Sequence, residues 1–362
     1  MKLLFLIDSL GSGGAQRQMV TIAPLLKQQG MDVEILCYYQ DTFFIEQLNI
    51  ADIKTHWVIA NNPIIRILKV RSFIRKRNYE AVISFLNTPD LLNCLAAVGG
   101  HTWKVITSER SAKEQTFSTY RGKIIGWMKR YSDAIVCNSE NAKQMWLKHY
   151  PQYKNKLRVI YNLVTLPPIT STYSPRRDGK THIVIAASYQ YLKNPINMVE
   201  AVNLLEDEEK NKLVLDWYGA KRVSQGGTQT YDETENLINK YNLRGVIHLN
   251  DPVSNISEKM NAADIIGLFS QLEGLPNTIC EGMFLSKPII MSRVSDYKIL
   301  VDENNGVLCD WNNVLTIKKA LSTLLCLSDE QLMTMGENSK KKSQLLFEKN
   351  TIINQWESLI RY

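Results

Sequence analysis

Two apolar runs joined by a polar loop and a short helical segment constrain the fold of this chain most strongly. The runs at 263–269 and 289–291 are each typical of a buried strand. Between them, the loop 270–276 leads into a segment of helical character that ends before Pro288. Strand, loop, helix and strand make a βαβ unit, which is built on parallel strands. Such sheets bind ligands beyond the carboxyl ends of their strands.

The loop and the start of the helix form a predicted anion site. Pro276 suits a helix entrance, and the side chain of Asn277 or Thr278 can cap the helix. The backbone N–H groups from Leu275 to Ile279 then lie at the positive end of the helix dipole. A phosphate group is the kind of ligand that such a helix terminus binds.

Two glutamates flank this predicted anion site, Glu273 in the loop and Glu281 eight residues later inside the helix. A ligand that is anionic in its middle and hydroxylated at both ends explains the arrangement. In a nucleotide-sugar, the diphosphate would bind the amides, the ribose hydroxyls would donate to Glu281, and the sugar hydroxyls would donate to Glu273. The alternative is a solvated loop glutamate followed by an ordinary glutamate in the first turn of a helix.

The same stretch resembles the E-x7-E signature of the retaining family-4 glycosyltransferases, which have the GT-B fold. The resemblance is carried by Ser270, Glu273-Gly274-Leu275-Pro276-Asn277, Glu281 and Lys287-Pro288-Ile289. It implies an α/β protein with two Rossmann-like domains that face a central cleft, and a C-terminal helix that crosses back to the first domain. Gly282 departs from the family pattern, which usually has alanine at that position.

The rest of the chain is consistent with two α/β halves. Strand-like runs recur along both halves, and the segment from 166 to 179 is poor in apolar residues and typical of a linker. We expect residues 1–168 to form the N-terminal, acceptor-side domain and residues 169–346 to form the nucleotide-sugar donor domain. Residues 347–362, with Ile352, Trp356 and Ile360 at helical spacing, are expected to pack back on the first domain.

The resemblance also assigns donor-binding residues. Gly13 and Gly14 match a glycine-rich turn whose amides approach the donor's phosphate and sugar, and Lys193 matches a lysine on the donor diphosphate. The family's arginine, five residues before that lysine, is replaced by Ser188. Lys193 and Glu273 are the predicted catalytic residues, with Lys193 and the loop amides taking the leaving-group charge. The predicted donor contacts in the loop are Gly274, Leu275, Pro276, Asn277 and Thr278.

Two residues of the first half are candidate acceptor or phosphate contacts. Arg110 stands near a strand end at which family members often carry a cleft histidine. It either binds an acceptor phosphate or forms an ordinary structural pair. The second candidate is Asp90. Asp90 and Glu109 are also the carboxylates considered as a covalent nucleophile, and neither is an obvious one. The family therefore supplies the expected mechanism, a front-face attack in which the leaving phosphate accepts the acceptor's proton.

A basic segment at 63–77 contains no acidic residue, and the whole chain carries a formal charge of +7. Its residues Ile64, Ile67, Leu68 and Ile74 share one helical face, which predicts a buried side and a basic side. The basic side is either ordinary solvated surface or a surface for anionic lipid headgroups. The chain shows no recognisable nucleic-acid module, so nucleic acid is not an expected partner.

The sequence contains no pattern typical of a metal site and no apolar run long enough to span a membrane. The six cysteines show no Cys-x2-Cys pair, the five histidines have no metal-ligand spacing, and no Asp-x-Asp occurs. We therefore expect no metal and no cofactor, with the nucleotide-sugar as a substrate. No apolar run approaches the ~20 residues that cross a bilayer. The predicted location is the cytoplasm, peripheral at the inner face of the cell membrane.

The resemblance therefore predicts a retaining hexosyltransferase that uses a nucleoside-diphosphate sugar, with UDP as the favoured nucleotide. Its acceptor would be a saccharide or a polyprenyl-diphosphate-linked glycan in the synthesis of bacterial surface polysaccharide. Two alternatives remain open at this point. One is a sugar-nucleotide epimerase of the same fold, and the other is a non-catalytic nucleotide-sugar-binding partner of a membrane glycan assembly.

Overall fold

A computed structural model describes residues 1–110, 114–169, 173–176, 178–223 and 227–362. The predicted linker includes 170–172 and 177, which lie outside the described residues. The central strands coincide with largely apolar runs, because such strands of a parallel sheet are covered on both faces. The strands are β1 (Lys2–Leu6), β2 (Asp32–Cys37), β3 (Lys54–Trp57), β4 (Ala81–Phe85), β5 (Lys104–Glu109), β6 (Ala134–Cys137), β7 (Leu157–Val159), β8 (Thr181–Ala186), β9 (Leu213–Tyr218), β10 (Ile247–Asn250), β11 (Ile265–Leu268), β12 (Ile289–Ser292) and β13 (Gly306–Cys309).

Helices alternate with these strands along the whole chain, which is the pattern of a parallel α/β protein. The helices are α1 (Gly14–Gln28), α2 (Ile45–Ile50), α3 (Pro63–Arg75), α4 (Asn87–Ala97), α5 (Gln115–Ser118), α6 (Tyr120–Met128), α7 (Glu140–His149), α8 (Pro195–Asn203), α9 (Asp207–Asn211), α10 (Gln229–Lys240), α11 (Ile256–Ala262), α12 (Asn277–Phe284), α13 (Tyr297–Leu300), α14 (Val314–Leu325), α15 (Asp329–Phe347) and α16 (Lys349–Arg361).

The chain divides into two compact units. The first contains Met1–Leu163 together with Phe347–Tyr362, and the second contains Val164–Leu346. Helix α15 ends at Phe347, the residue at which the first unit resumes. The C-terminal helix α16 therefore belongs to the first unit, as the sequence predicted.

The first unit is built on a parallel sheet whose described strands have the order β3-β2-β1-β4-β5-β6-β7. Its central strands β1 and β4 are almost wholly buried. Helix α16 contributes to this core through Trp356, whose ring stacks on Phe85 of β4 with centroids 6.1 Å apart. The strand order reverses between β1 and β4, so the ligand crevice of this unit is expected beyond the carboxyl ends of those two strands.

The second unit repeats the architecture with the described strands in the order β10-β9-β8-β11-β12-β13. Its core includes Trp217 of β9 and Phe269, directly after β11. The order reverses between β8 and β11, which again locates the crevice. Two parallel sheets, each with a switch point, confirm the predicted α/β class with two Rossmann-like halves.

Candidate functional site

The switch point of the second sheet brings two predicted site residues into contact. Lys193 lies in the segment after β8, and Glu273 lies in the loop after the neighbouring strand β11. The Lys193 Nζ donates to Glu273 Oε1 at 2.6 Å, and the Ser270 hydroxyl donates to the same oxygen at 2.7 Å. The two side chains of the ion pair are only 20% and 13% exposed. The predicted catalytic residues therefore form an ion pair at the position where open α/β sheets bind ligands.

Hydrogen bonds from neighbouring loops hold this ion pair in place. The Gln271 N–H donates to the Leu192 carbonyl at 2.8 Å, which joins the two loops that carry the pair. Asn194 adopts the left-handed conformation with φ of 64°, and its side chain donates to the Trp311 carbonyl at 2.7 Å. Sequence reasoning missed Gln271 and Trp311, because contacts to backbone carbonyls leave no residue pattern.

Helix α12 begins after the glutamate loop, as predicted, but its first turn is capped differently. Pro276 is the N-cap residue and provides no side-chain cap, while the Thr278 hydroxyl donates to the Ala186 carbonyl at 3.0 Å. The predicted capping by Asn277 or Thr278 is therefore wrong. The Ile279 N–H donates to the Pro276 carbonyl at 3.0 Å, so this amide is already engaged. The predicted anion site therefore loses the Ile279 amide and keeps the backbone amides that precede it in the chain. These amides still lie at the positive end of the helix dipole.

Glu281 lies one turn into α12 and is partly exposed. The next residue, Gly282, packs against β11, where an added Cβ would approach the Ile266 side chain within 2.8 Å. This departure from the family pattern therefore fits a close approach of α12 to the sheet. In the loop before the helix, Leu275 is buried and the Gly274 carbonyl accepts a hydrogen bond from a serine hydroxyl. These two residues fix the loop to the second unit.

Ser188 stands where the family has an arginine, and its surroundings are neutral. Its hydroxyl accepts a hydrogen bond from Gln190 Nε2 at 2.9 Å.

At the end of β9, an added Cβ at Gly219 would lie 1.9 Å from the Ala187 carbonyl oxygen, so only glycine fits this approach of two strand ends. Between residues 187 and 194, Lys193 is the one cation that the sequence supplies.

In the first unit, the glycine-rich turn follows β1 at the switch point of the sheet. Gly13 is the N-cap residue of α1 and Gly14 is its first helical residue. The Gln16 side chain packs against Gly13, so closely that an added Cβ at Gly13 would lie 2.3 Å from Gln16 Oε1. Gln16 Nε2 also donates to Asp8 Oδ1 at 2.9 Å. The turn therefore lies at the expected crevice, with Gln16 covering it.

Asp90 is part of the core of the first unit. Its side chain is fully buried and forms an ion pair with the equally buried Lys129 at 2.8 Å. It also accepts hydrogen bonds from the Ser84 hydroxyl at 2.7 Å and from the Ser108 N–H at 3.3 Å. These bonds join α4 to β4 and β5. The carboxylate is engaged by partners inside the core, so we assign Asp90 a structural role in place of the predicted acceptor contact.

Arg110 lines a cavity of about 400 Å³ beside the carboxyl ends of β4 and β5, together with Glu109, Thr119 and Arg121. Its Nη1 donates to Asn162 Oδ1 at 2.8 Å, and its guanidinium lies 3.9 Å from the centre of the Phe85 ring. Within the described residues, its Nε and Nη2 atoms are buried and have no hydrogen-bond partner. Burial lowers the pKa of Arg110 to about 10, so it stays cationic at neutral pH. Two buried donors without partners favour an anionic ligand in this cavity.

Helix α3 covers most of the predicted basic segment 63–77, but its faces differ from the prediction. Ile64 and Leu68 are 67% and 60% exposed, although the sequence pattern predicted them inside. Arg71 instead donates to three backbone carbonyls at the end of α4, and Arg75 donates to two carbonyls there. The buried Arg66 packs over two tyrosine rings. Three basic residues of the segment are therefore engaged inside the first unit, and of the predicted apolar face Ile74 is buried.

The described residues contain neither a clustered metal-ligand set nor a membrane-spanning helix. Across those ranges, no group of three or more His, Cys, Asp or Glu side chains is placed to hold a metal ion. No helix in the same part of the chain combines the length and apolar character needed to cross a bilayer. The expectation of metal-independent chemistry stays a prediction.

Comparison with known families adds independent information. The model of "Glycosyltransferase Family 4" matches residues 12–166, and the model of "Glycosyl transferases group 1" matches residues 172–342. The two matches meet near the boundary between the structural units, which lies after Leu163. Together they span most of the chain.

Individual relatives are distant but extend over nearly the full length. The Campylobacter jejuni GalNAc-α-(1→4)-GalNAc-α-(1→3)-diNAcBac-PP-undecaprenol α-1,4-N-acetyl-D-galactosaminyltransferase is 22% identical, over 99% of this chain and 98% of that protein. The Escherichia coli UDP-Gal:α-D-GlcNAc-diphosphoundecaprenol α-1,3-galactosyltransferase is 23% identical, over 91% of this chain and 88% of that protein. A crystal structure of Anabaena HepE in complex with UDP is similar in fold, with a TM-score of 0.84 and 16% identity over 99% of both chains.

Proposed function

Because this chain belongs to the family-4 glycosyltransferases of the GT-B fold, we propose that it transfers a hexosyl group from a UDP-sugar to a saccharide carried on a polyprenyl diphosphate. The proposal includes retention of the anomeric configuration and a role in bacterial surface glycan synthesis. It is supported by the names of the two relatives, which act on undecaprenol-linked diphosphates, and by the UDP in the Anabaena structure. We assign the donor to the second unit and the acceptor to the first.

The observation that carries the proposal is the Lys193–Glu273 ion pair at the switch point of the second sheet. Lys193 would bind the donor diphosphate together with the first amides of α12, and Glu281 would accept from the ribose hydroxyls. The hydrogen bonds that Glu273 accepts from Lys193 and Ser270 both end on Oε1. Its Oε2 is thus available to accept from a sugar hydroxyl, which lets one carboxylate orient both the lysine and the sugar.

The chemistry has to stabilise a departing diphosphate. The bond from the anomeric carbon to the diphosphate oxygen breaks, a bond to the acceptor oxygen forms on the same face, and the acceptor proton passes to the departing phosphate. Lys193 and the α12 amides would stabilise the charge that develops on the diphosphate. The two carboxylates considered as nucleophiles are poorly suited to that role. Asp90 is fully buried, and Glu109, which lines the cavity assigned to the acceptor, is 2% exposed and accepts from Trp146 Nε1 at 3.1 Å. This burial supports front-face attack.

The acceptor side of the proposal rests on the Arg110 cavity. A polyprenyl-linked acceptor carries a diphosphate between its lipid and its glycan, and Arg110 offers two buried donors without partners. Arg121 lines the same cavity and donates to the Thr88 hydroxyl at 2.7 Å. An arginine matches phosphate oxygens in a bidentate manner. We therefore assign the acceptor diphosphate to these two arginines.

The experiment that tests the proposal is a titration of UDP and UDP-sugars, followed by turnover with a lipid-linked acceptor. UDP at about a hundred times its dissociation constant should stabilise the protein by about 2.7 kcal/mol, which a thermal shift detects. UDP should then be released only when donor and acceptor are both present. A control variant, Lys240→Ala, alters an exposed lysine of the second unit with no proposed role. Epimerised donor without acceptor, or binding without any turnover, would overturn the proposal.

A further inference from the structure

Helix α6 presents an apolar stripe that the sequence pattern did not single out. Tyr120, Ile124 and Trp127 are 82%, 41% and 53% exposed. Residues four and three apart lie on the same side of a helix, so these three side chains form one continuous face. Aromatic residues with a polar edge are the ones enriched at membrane–water interfaces. A stripe of this composition on a surface helix is a candidate interaction face.

The opposite side of α6 anchors the helix firmly to the first unit. Gly126 is covered by Tyr150, because an added Cβ would approach the Tyr150 hydroxyl at 2.3 Å. The Tyr153 hydroxyl donates to the Gly126 carbonyl at 2.9 Å. Ile125 and Met128 are buried. One side of α6 is therefore packed against the first unit, and the apolar stripe on its other side is exposed to solvent.

The charged residues on α6 and in the turn that follows it are all basic. Residues 115–132 contain four basic residues and no acidic residue. The acidic residues that border this range have partners elsewhere, since Glu114 pairs with His149 and Asp133 accepts from the Val105 N–H. Of the four, Lys129 is buried in its ion pair with Asp90, whereas Lys123 and Arg130 are exposed beside the stripe. The Arg130 guanidinium lies 5.1 Å from the centre of the Trp127 ring. Exposed apolar and aromatic side chains with exposed cations of the same segment beside them fit the headgroup region of an anionic bilayer.

We propose that α6 is the membrane-docking helix of this protein and lies flat on an anionic lipid bilayer, with Tyr120, Ile124 and Trp127 among the headgroups. The helix also connects this face to the acceptor cavity, because Arg121 and Ile125 line that cavity. A lipid-borne diphosphate at the bilayer surface would therefore lie close to its assigned arginines. The functional meaning of the contact rests on the proposed function, but the contact itself does not.

A second copy of the chain is a poorer occupant of this face. A two-fold contact places the same patch of both copies together, so Lys123 and Arg130 of each copy would face cations. Like charges brought together at an interface oppose binding. An anionic lipid surface has the complementary charge and can contact the whole length of this nine-residue helix. The basic charge therefore favours the bilayer.

The test uses the full-length protein and lipid vesicles. All seven tryptophans lie in the described residues, and Trp127 is the one exposed among them. Phosphatidylcholine vesicles containing phosphatidylglycerol should shift the tryptophan emission to the blue, and pure phosphatidylcholine vesicles should not. The shift should disappear in Trp127→Phe and weaken with salt, since ~1 M salt shortens the Debye length to ~3 Å. Absence of a shift with anionic vesicles would overturn the proposal.

A matched pair of triple variants identifies the surface. Serine at Tyr120, Ile124 and Trp127 should lower the vesicle partition coefficient by about 10²-fold, from the loss of buried apolar area. Serine at Ile64, Ile65 and Leu68 on α3 removes a comparable exposed apolar area from the segment first predicted from sequence. The α3 triple variant should bind vesicles as the parent protein does. Equal binding by the α6 variant, or loss only in the α3 variant, would contradict the proposal. So would a dimer in light scattering that the α6 substitutions abolish.

Turnover measurements separate this proposal from the proposed function. The α6 triple variant should bind UDP as the parent does, and it should lose transfer only to an acceptor embedded in vesicles. Transfer to a short-chain, water-soluble acceptor should stay within about twofold of the parent, because the substitutions lie on the outer face of the helix. If no transfer is found with any acceptor while vesicle binding still depends on α6, the proposed function fails and the docking surface stands.

Discussion

Replacing Lys193 with alanine should lower kcat far more than it raises the Michaelis constant for the donor. The charge of the diphosphate grows as the bond to the sugar breaks, so its stabilisation matters most in the transition state. Ser188 and Gln190 are neutral, so no second cation of this loop can compensate. Loss of one preorganised electrostatic donor lowers kcat by about 10²–10³-fold, or about 2.7–4 kcal/mol.

The same substitution should affect stability much less than turnover. Glu273 keeps the hydrogen bond from the Ser270 hydroxyl when the lysine is removed. The lost charge-assisted hydrogen bond is partly exposed, so the free energy of unfolding should fall by no more than about 1.5–3 kcal/mol. Urea unfolding of the variant measures this change directly. It also verifies that the folded fraction does not account for the loss of turnover.

The assay is steady-state UDP release at several donor concentrations, with Lys240→Ala as the matched lysine control. A Lys193→Ala enzyme with near-parental kcat would refute the assignment of the lysine to the leaving group. A raised Michaelis constant with unchanged kcat would mean that Lys193 binds the ground state and transition state equally. Ser188→Arg provides the converse test, since an added arginine can bind phosphate in a bidentate manner and should tighten donor binding.

Three further predictions follow from the site and the core. Glu281→Ala should weaken UDP binding by about 1.5–3 kcal/mol in calorimetry, whereas Glu273→Ala should lower turnover far more than it changes UDP affinity, since Glu273 contacts Lys193 and has no assigned contact with the nucleotide; parental UDP affinity in the first variant would rule out the ribose assignment. Turnover should survive a strong chelator, and a loss that manganese or magnesium restores would disprove metal independence. Burial lowers the pKa of Lys287 from 10.5 to about 7, so the unfolded chain binds more protons than the folded protein between these values. The contribution of Lys287 to the free energy of unfolding should therefore increase between about pH 7 and about pH 9, up to the range in which thiols ionise in the unfolded chain. Lys287→Met should remove this contribution, so the difference in urea stability between the parent and the variant should change with pH over that range.

The sequence predicted the centre of the second unit well, because its signals are local. The apolar runs became β11 and β12, and the proline-containing loop led into α12. Glu273 and Lys193 are far apart in the chain, yet the resemblance assigned both to the donor. The contact between them depends on the neighbouring positions of β8 and β11 in the sheet, which no local pattern contains.

The predictions of burial and exposure in the first unit were weaker where a side chain contacts residues far away in the chain. Periodicity predicted a buried face of α3 that includes Ile64, Leu68 and Ile74, and Ile74 is buried. Ile64 and Leu68 are exposed, while Arg71 donates to backbone carbonyls of α4 inside the unit. Asp90 was a candidate acceptor contact, yet it is fully buried and pairs with the buried Lys129 from a later segment. Hydrophobic patterns assume that charged residues face solvent, and they fail when such residues are paired inside.

The most direct test of the account is a proton NMR time course of the protein with an α-configured UDP-sugar and a diphosphate-linked acceptor. Retaining transfer from UDP predicts that the anomeric signal of the donor decreases while a new α-configured glycosidic signal increases at the same rate. A β-configured product would contradict retention and front-face attack. An unchanged donor signal across a panel of UDP-sugars would contradict the assignment of sugar transfer from UDP.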